Sequence, residues 1–117
     1  KNNYAELQLL GNQVRTMVRD ALDAFARMDT QAALRTAHED QQIDQQYESI
    51  IRQMITFMME DPRTITRALD VIWAARALER IGDHAHNICE YIIYLVKGKN
   101  VRHTSLEKIE QEILGRR

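Results

Sequence analysis

Carboxylates recur at helical spacing in two separate parts of the chain. Asp40 and Asp44 form one pair and Glu79 and Asp83 form the other, with the members of each pair four residues apart. Residues four apart lie on the same face of a helix, so each pair would present two carboxylates to one neighbour. Carboxylate oxygens suit hard or borderline divalent ions such as magnesium, manganese, calcium and iron. Because like charges at this spacing repel each other unless something positive lies among them, the pattern predicts a carboxylate metal site.

Other polar residues extend the second carboxylate row. Asn87 and Glu90 continue it toward the C-terminus, and His86 follows Asp83 by three residues. A Glu-x-x-His element with that spacing occurs in di-iron bundles, which need it on two helices. Here the element occurs once and begins with aspartate, so a di-iron oxidase is not favoured.

The same acids also have simpler interpretations. Arg76 and Arg80 lie within two turns of Glu79 and Asp83, and surface ion pairs between them would account for the charges. In that case the chain would be a plain helical dimerisation module that binds no ion. A ferritin-like bundle that binds metal is the other alternative. Spacing alone does not decide between these interpretations, because structural ion pairs and functional carboxylates give the same pattern.

Composition excludes several classes of protein. The 117 residues include 44% hydrophobic and 28% charged side chains, as in an ordinary globular domain. Lys and Arg total 16 against 17 Asp and Glu, so no overall charge favours nucleic acid or an anionic membrane. The single cysteine, Cys89, rules out an intramolecular disulfide and is typical of a reducing compartment. No glycine-rich phosphate loop or nucleophile elbow is present, so the sequence predicts that the protein is not an enzyme.

Helices are the elements that would position these acids. One proline, Pro62, and four glycines are too few turn residues for a multi-stranded sheet. Apolar residues recur every three or four positions in three long segments. Caps are expected at Asp29 or Thr30 before the second segment, and at Asp61 with Pro62 before the third. The three apolar stripes are Leu7, Leu10, Val14, Met17, Ala21, Phe25 and Met28; Ile43, Tyr47, Ile50, Ile51, Met54 and Met58; and Leu78, Ile81, Ala85, Ile88, Ile92 and Leu95.

These segments predict an all-α fold, an antiparallel (up-down-up) bundle of three long helices. The bundle is expected to occupy residues 1–100, with the third helix ending at the cationic Lys-Gly-Lys run of residues 97–99. Residues 101–117 would form a short C-terminal tail, in which Thr104 and Glu107 are spaced to begin a helix. Helical-wheel geometry puts the acids of the third helix opposite its apolar stripe, so we expect that face to meet a second neighbour.

Several segments together resemble one family over nearly the whole chain, up to about residue 102. They are residues 24–29 (Ala-Phe-Ala-Arg-Met-Asp), 39–40 (Glu-Asp) with Asp44, 58–65 (Met-Met-Glu-Asp-Pro-Arg-Thr-Ile), 74–83 (Ala-Ala-Arg-Ala-Leu-Glu-Arg-Ile-Gly-Asp), 87–90 (Asn-Ile-Cys-Glu) and 94–98 (Tyr-Leu-Val-Lys-Gly). This combination resembles the C-terminal half of the PhoU family, the accessory proteins of phosphate-specific transport. Family members consist of two similar three-helix bundles, and this chain, which begins at Lys1, is expected to be the second.

The resemblance also implies a role and a set of ligands. PhoU proteins act as negative regulators of phosphate uptake and of phosphate-starvation genes. They are cytoplasmic, non-catalytic adaptors between the ATPase of the phosphate ABC transporter and the phosphate-sensing histidine kinase. They reach the membrane only through those partners and often form homodimers. Iron or zinc clusters occur on their acidic motifs, which implies metal ligands at these positions: Asp40, Asp44, Glu79, Asp83, Asn87 and Glu90.

Overall fold

Three long helices account for nearly all of the described chain. The computed structural model describes the backbone of residues 3–111 and the side chains of residues 4–98. Over that range the helices are α1 (Asn3–Arg27), α2 (Thr30–Glu60) and α3 (Ile65–Gln111), and no strand is present. Each helix packs against the other two, and short connections make consecutive helices antiparallel. The predicted all-α three-helix bundle is therefore confirmed. None of the described helices is long and apolar enough to cross a membrane.

Asp29 holds the turn between α1 and α2, as predicted. Its carboxylate accepts a hydrogen bond from the backbone N–H of Ala32 at 3.0 Å and caps the first turn of α2. The backbone N–H of Asp29 donates to the carbonyl oxygen of Ala24 at 3.0 Å, which closes the last turn of α1. Met28, between the two helices, has a φ of 49°, the left-handed conformation that ends many helices.

Asp61 and Pro62 begin the third helical segment through a 3-10 turn at Pro62–Thr64. The Asp61 carboxylate accepts a hydrogen bond from the backbone N–H of Arg63 at 3.1 Å, and the Thr64 hydroxyl donates to the Asp61 carbonyl at 2.7 Å. Pro62 has no backbone N–H, and at the first position of a helical turn that group would have no partner. The predicted start signal is confirmed, and α3 follows the turn directly.

The buried stripes of α1 and α2 largely follow the predicted spacing. The exception is the end of α1, where Ala24 is buried while Phe25 and Met28 are 50% and 42% exposed. The prediction that those two residues belong to the core is wrong, because α1 ends there and the chain turns away. The buried residues of the two helices are Leu10, Val14, Met17, Ala21, Ala24, Ala32, Ala33, Thr36, Ile43, Ile50 and Met54.

The buried stripe of α3 differs from the predicted one. The prediction that Ile81 and Leu95 lie in the core is wrong, since they are 44% and 52% exposed. The actual stripe shares Ala85 and Ile92 with the predicted one, but its centre lies about 70° farther around the helix axis and it consists chiefly of small residues. Small side chains let α3 approach α2, and a β-carbon on Gly82 would lie 3.4 Å from the side chain of Ile43. The buried residues of α3 are Ala68, Val71, Ala75, Gly82, Ala85, Cys89 and Ile92.

The third helix is also longer than predicted. It continues through Gly98 to Gln111, so the helix end predicted at residues 97–99 and the separate helix predicted to begin at Thr104 are wrong. Gly98 has no positive φ and so does not form the left-handed cap that stops a helix. A glycine inside a helix costs only about 1 kcal/mol relative to alanine, which flanking turns offset. The last predicted tail residues, 112–117, lie outside the described residues, and the division of the chain at residue 100 stays a prediction.

A candidate metal site between the second and third helices

Carboxylates from both predicted pairs meet in the groove between α2 and α3. Asp40 and Asp44 belong to α2, and Asp83 belongs to α3, directly after Gly82. One carboxylate oxygen of each aspartate lies within 4.8 Å of those of the other two, a spacing that one cation could bridge. The prediction that the acids of α3 lie opposite the bundle is wrong for Asp83, which meets the aspartates of α2. The second neighbour expected for α3 stays a prediction.

The glycine at position 82 lies directly beside this cluster. A β-carbon there would lie 3.7 Å from Oδ1 of Asp40. That oxygen is buried, and no hydrogen-bond donor among the described side chains and backbone reaches it. A buried acceptor left without a partner costs about 1–3 kcal/mol, and a bound cation would supply the missing interaction. The carboxylate oxygens come from two helices, and one of them is buried without a partner. Such a set of ligands fits a divalent cation.

Burial, followed by the repulsion of neighbouring carboxylates, raises the pKa of three acids in the groove. The pKa of Asp40 lies above its ordinary value, first because burial removes water and then because Asp44 and Asp83 repel its charge. The pKa of Asp44 is raised by burial, then by the charges of Asp83 and Glu48. The pKa of Glu79 is raised by burial and then by Asp83 and Asp44. The groove therefore concentrates negative charge on acids of which two, Asp40 and Asp44, are partly buried and Asp83 is exposed, and this charge favours a cation as ligand.

The six predicted ligands do not all meet in the groove. Three of them form the aspartate cluster, and Glu79 is partly buried one turn before Asp83. Asn87 is exposed one turn after Asp83. Glu90 lies farther along α3, where its 64%-exposed side chain contacts His86. The metal-binding role of the six residues stays a prediction.

Arginine does not neutralise these acids within the described part of the chain. Among residues 4–98, no salt bridge joins Arg76 or Arg80 to Glu79 or Asp83. Both arginines instead line a shallow groove beside Trp73, on the exposed side of α3. The ion pairs expected from the simpler interpretation are thus not formed among the described residues. The carboxylates of Glu79 and Asp83 therefore remain available to another ligand.

His86 lies near the acidic groove but outside the aspartate cluster, and the predicted ligand set omits it. The charge of its imidazolium favours the ionised forms of Asp40 and Asp44, and so opposes the rise in their pKa. Its Nδ1 atom lies 3.8 Å from Oε2 of Glu90, and its side chain is 32% exposed. The spacing of three residues from Asp83, which places both on one side of a helix, is the sequence signal that identifies it.

A second pair of acids, away from this groove, links α1 to α2. The pKa of Glu39 is raised to about 7, first by burial and then by a hydrogen bond with Asp20 and the charge of that residue. Burial, followed by the charges of the same two acids, raises the pKa of Cys89 to about 11. Cys89 is fully buried in the core of the bundle. Because Asp20 and Glu39 lie on different helices, no short-range spacing in the sequence identifies the pair.

Residues 7–92, which include all three clustered aspartates, match the PhoU domain family. The chain belongs to the PhoU family. The resemblance predicted from its sequence segments is therefore confirmed.

Similar PhoU proteins are found in several bacteria. The phosphate-specific transport system accessory protein PhoU homolog of Pseudomonas putida is 56% identical over 112 residues, covering 96% of this chain and 44% of that protein. The phosphate-specific transport system accessory protein PhoU of Escherichia coli K12 is 47% identical over 110 residues, or 94% of this chain and 46% of that protein. The crystal structure of PhoU from Pseudomonas aeruginosa is similar with a TM-score of 0.78 and 54% identity, over 82% of this chain and 46% of that chain. The chain thus spans about half the length of the PhoU relatives it matches.

Proposed function

We propose that this chain is part of a PhoU protein that shuts down phosphate uptake and phosphate-starvation signalling without catalysing a reaction. Its family membership over residues 7–92 supports this, as do its relatives' names, which assign them to phosphate-specific transport. The proposed partners are the ATPase of the phosphate ABC transporter and the phosphate-sensing histidine kinase, which the protein meets in the cytoplasm. It reaches the membrane only through these partners and acts as a homodimer.

At the level of individual residues, the proposal rests on the acidic groove between α2 and α3. Asp40 and Asp44 from one helix and Asp83 from the other hold a divalent cation, which is iron, zinc, magnesium or manganese. Asp40 contributes a buried oxygen that has no other partner among the described residues. When bound, the cation supplies the positive charge that offsets the repulsion among these acids. The aspartates thereby join α3 to α2 at the level of Gly82.

A fixed arrangement of the two helices matters for an adaptor. With α2 and α3 joined, exposed side chains on the outer side of α3, such as Trp73 and Arg76, keep a constant position relative to α2. A partner whose own surface changes with phosphate status binds this arrangement more tightly in one state than in the other. Such differential affinity shifts the population of complexes and requires no chemical step.

Capture of the partners by the full-length protein tests the proposal. Asp40→Asn and Asp83→Asn keep the side-chain size and remove negative charge from the groove, while Asp70→Asn, at an exposed position of α3, is the matched control. We expect each groove variant to capture less transporter ATPase or kinase and to raise transcription of phosphate-starvation genes in phosphate-rich cells. The control should do neither. If both groove variants capture the partners and repress phosphate-starvation genes as the wild type does, the proposed role of the groove is overturned. If the wild type captures neither partner, the proposed adaptor function is overturned.

A further inference from the structure

A shallow groove with two arginines and a histidine runs along the outer side of α3, and we call it the basic groove. Arg76, Arg80 and His84 follow one another at steps of four residues, so they form a single row along the helix. All the side chains that line the groove are exposed. They are Trp73, Arg76, Ala77, Arg80, Ile81 and His84.

The arginines of the basic groove have no acidic partner in the described part of the chain. Among residues 4–98, neither Arg76 nor Arg80 forms a salt bridge. Other arginines do pair, since Arg27 lies 2.8 Å from Asp23. Like charges four residues apart on a helix repel each other. The row therefore contributes no stability to the bundle, and an anionic partner would remove the repulsion.

Trp73 adds an apolar surface at one end of the row. Tryptophan is a highly buried residue on average, yet 62% of Trp73 is exposed. Leu69, one turn earlier on α3, is 40% exposed and extends the apolar surface. Tryptophan and arginine are enriched among the residues that dominate the affinity of protein interfaces. This end of the groove thus offers an apolar anchor beside charges that a carboxylate could bind.

The same side of α3 continues beyond the basic groove. Tyr91 lies two turns after His84, and Tyr94 lies one turn after Tyr91. These tyrosines are 64% and 77% exposed. From Leu69 to Tyr94 the face extends for roughly 37 Å, apolar or aromatic at both ends and basic in the middle. A partner helix with acidic residues in its middle and apolar residues on either side would match this pattern.

A second copy of this chain would not match it. Two copies related by a twofold axis present the same surface to each other, so the arginines of one would face those of the other. Like charges placed opposite each other across an interface weaken binding. An acidic segment of another protein instead supplies carboxylates, which arginine can bind through two parallel hydrogen bonds. Charge complementarity therefore favours an acidic partner.

We propose that the basic groove docks an acidic helical segment of a partner protein, with Trp73 as the apolar anchor and Arg76 and Arg80 as the groups that bind its carboxylates. This inference rests on the proposed function, whose partners are the transporter ATPase and the histidine kinase, and it assigns the contact with one of them to α3. The helix then meets a cation on the side that faces α2 and a partner protein on its outer side.

Binding of the purified transporter ATPase, and of the purified cytoplasmic part of the kinase, to the full-length protein tests the inference. The variants are Trp73→Ala, Arg76→Gln and Arg80→Gln. The matched control is Arg67→Gln, an exposed arginine of the same helix that does not line the groove. We expect Trp73→Ala to lower the affinity for one partner by about thirtyfold or more, and each groove arginine variant by about tenfold. The control should bind within about twofold of the wild type.

The outcomes separate the docking site from the adaptor function on which it rests. Because the substituted side chains are exposed, thermal melts should show every variant folded. The affinity of the groove arginine variants should depend less on salt than that of the wild type. Unchanged affinity in the three groove variants, or an equal loss in Arg67→Gln, would overturn the docking site and leave the adaptor function standing. A wild type that binds neither partner would overturn both.

A cross-linker in the groove identifies the segment that docks there. Ala77 is exposed within the groove, between the two arginines. A photoreactive amino acid at this position of the full-length protein should join the ATPase or the kinase at a segment rich in aspartate and glutamate. Attachment to a segment without acidic residues would overturn the proposed chemistry of the partner.

Fluorescence from position 73 gives a readout that does not depend on affinity. Trp73 is the single tryptophan of the 117 residues. Replaced by 5-hydroxytryptophan in the full-length protein, it can be excited apart from the tryptophans of a partner. We expect acrylamide to quench it in the free protein and the partner to protect it. Protection before a partner is added would show that the protein itself covers the groove, and unchanged quenching in the complex would show binding elsewhere. Either result would overturn the inference.

Discussion

Gly82 of α3 packs against Ile43 of α2 so closely that a β-carbon at position 82 would lie 3.4 Å from two carbons of the isoleucine side chain. This approach occurs one residue before Asp83, and it sets the separation of the helices where their carboxylates meet. The stability of the bundle and the geometry of the acidic groove therefore depend on the same position.

Substitutions at Gly82 test how closely α2 and α3 pack at this position. Gly82→Ala removes the entropic cost of glycine in a helix, and its methyl group makes an ordinary contact with Ile43, so we expect the free energy of unfolding to rise by about 0.5–1 kcal/mol. Gly82→Val adds two methyl groups to a packed contact and should cost about 1–3 kcal/mol. Chemical denaturation measures both values. A destabilised alanine variant would show that α2 and α3 cannot separate by even a few tenths of an ångström.

Addition of a cation should reverse which protein is the more stable, the wild type or the Asp44→Asn variant. In a chelator, Asp44→Asn relieves repulsion with Asp83 and should raise the free energy of unfolding by about 0.5 kcal/mol. At a zinc concentration of about 100 times the dissociation constant, the wild type should gain about 2.7 kcal/mol and the variant much less. Thermal melts in both buffers show the order. Asp70→Asn, exposed on α3, controls for loss of surface charge, and an unchanged order would argue against the cation site.

The pair of acids between α1 and α2 predicts a pH dependence of stability. The pKa of Glu39 is raised from 4.5 to about 7 in the folded protein by burial and by Asp20, so the folded state binds more protons than the unfolded chain between those values. The free energy of unfolding should therefore fall as the pH rises from about 4.5 through about 7. Glu39→Gln cannot ionise and should flatten this fall, making the variant more stable than the wild type at pH 8.

Melting temperatures measured at half-unit steps of pH test that expectation. Glu60→Gln, at the exposed end of α2, is the control for removal of one carboxylate. A Glu39→Gln profile parallel to that of the wild type would show that the two carboxyl groups do not share a proton in the fold.

Burial should protect Cys89 from thiol reagents. Its side chain is fully buried and its pKa is raised to about 11, so little thiolate is present near neutral pH. We expect iodoacetamide to label the native chain only at the rate of unfolding, and the denatured chain quickly. A Cys89→Ser, Tyr91→Cys variant moves the thiol to an exposed position of the same helix and should be labelled at once. Fast labelling of native wild type would mean that α3 opens locally at this turn.

Much of the fold follows from chemistry between near neighbours in the chain. Asp29 and Asp61 act as caps at the predicted places because capping involves residues within three positions of each other. The pairing of Asp40 with Asp44 on one side of α2 is equally local, since it depends only on helical geometry. Such features can be predicted from the sequence because tertiary contacts are not needed to form them.

The rotation of α3 could not be predicted in the same way. Hydrophobicity ranks Ile81 and Leu95 above Gly82 as core residues, yet Gly82 is buried and the two larger residues are not. Packing favours the face whose small side chains let the helices approach each other closely. The hydrophobicity of residues along a helix does not show how closely that helix can approach a neighbour.

The sequence by itself thus determined where the helices begin, which fold class they form and which residues share a helix face. Only the tertiary structure decided which faces meet. It brought Asp83 to the aspartates of α2, placed His86 beside them and paired Asp20 with Glu39. The reason is physical: spacing along a helix depends on local backbone geometry, whereas contacts between helices depend on how closely whole surfaces pack.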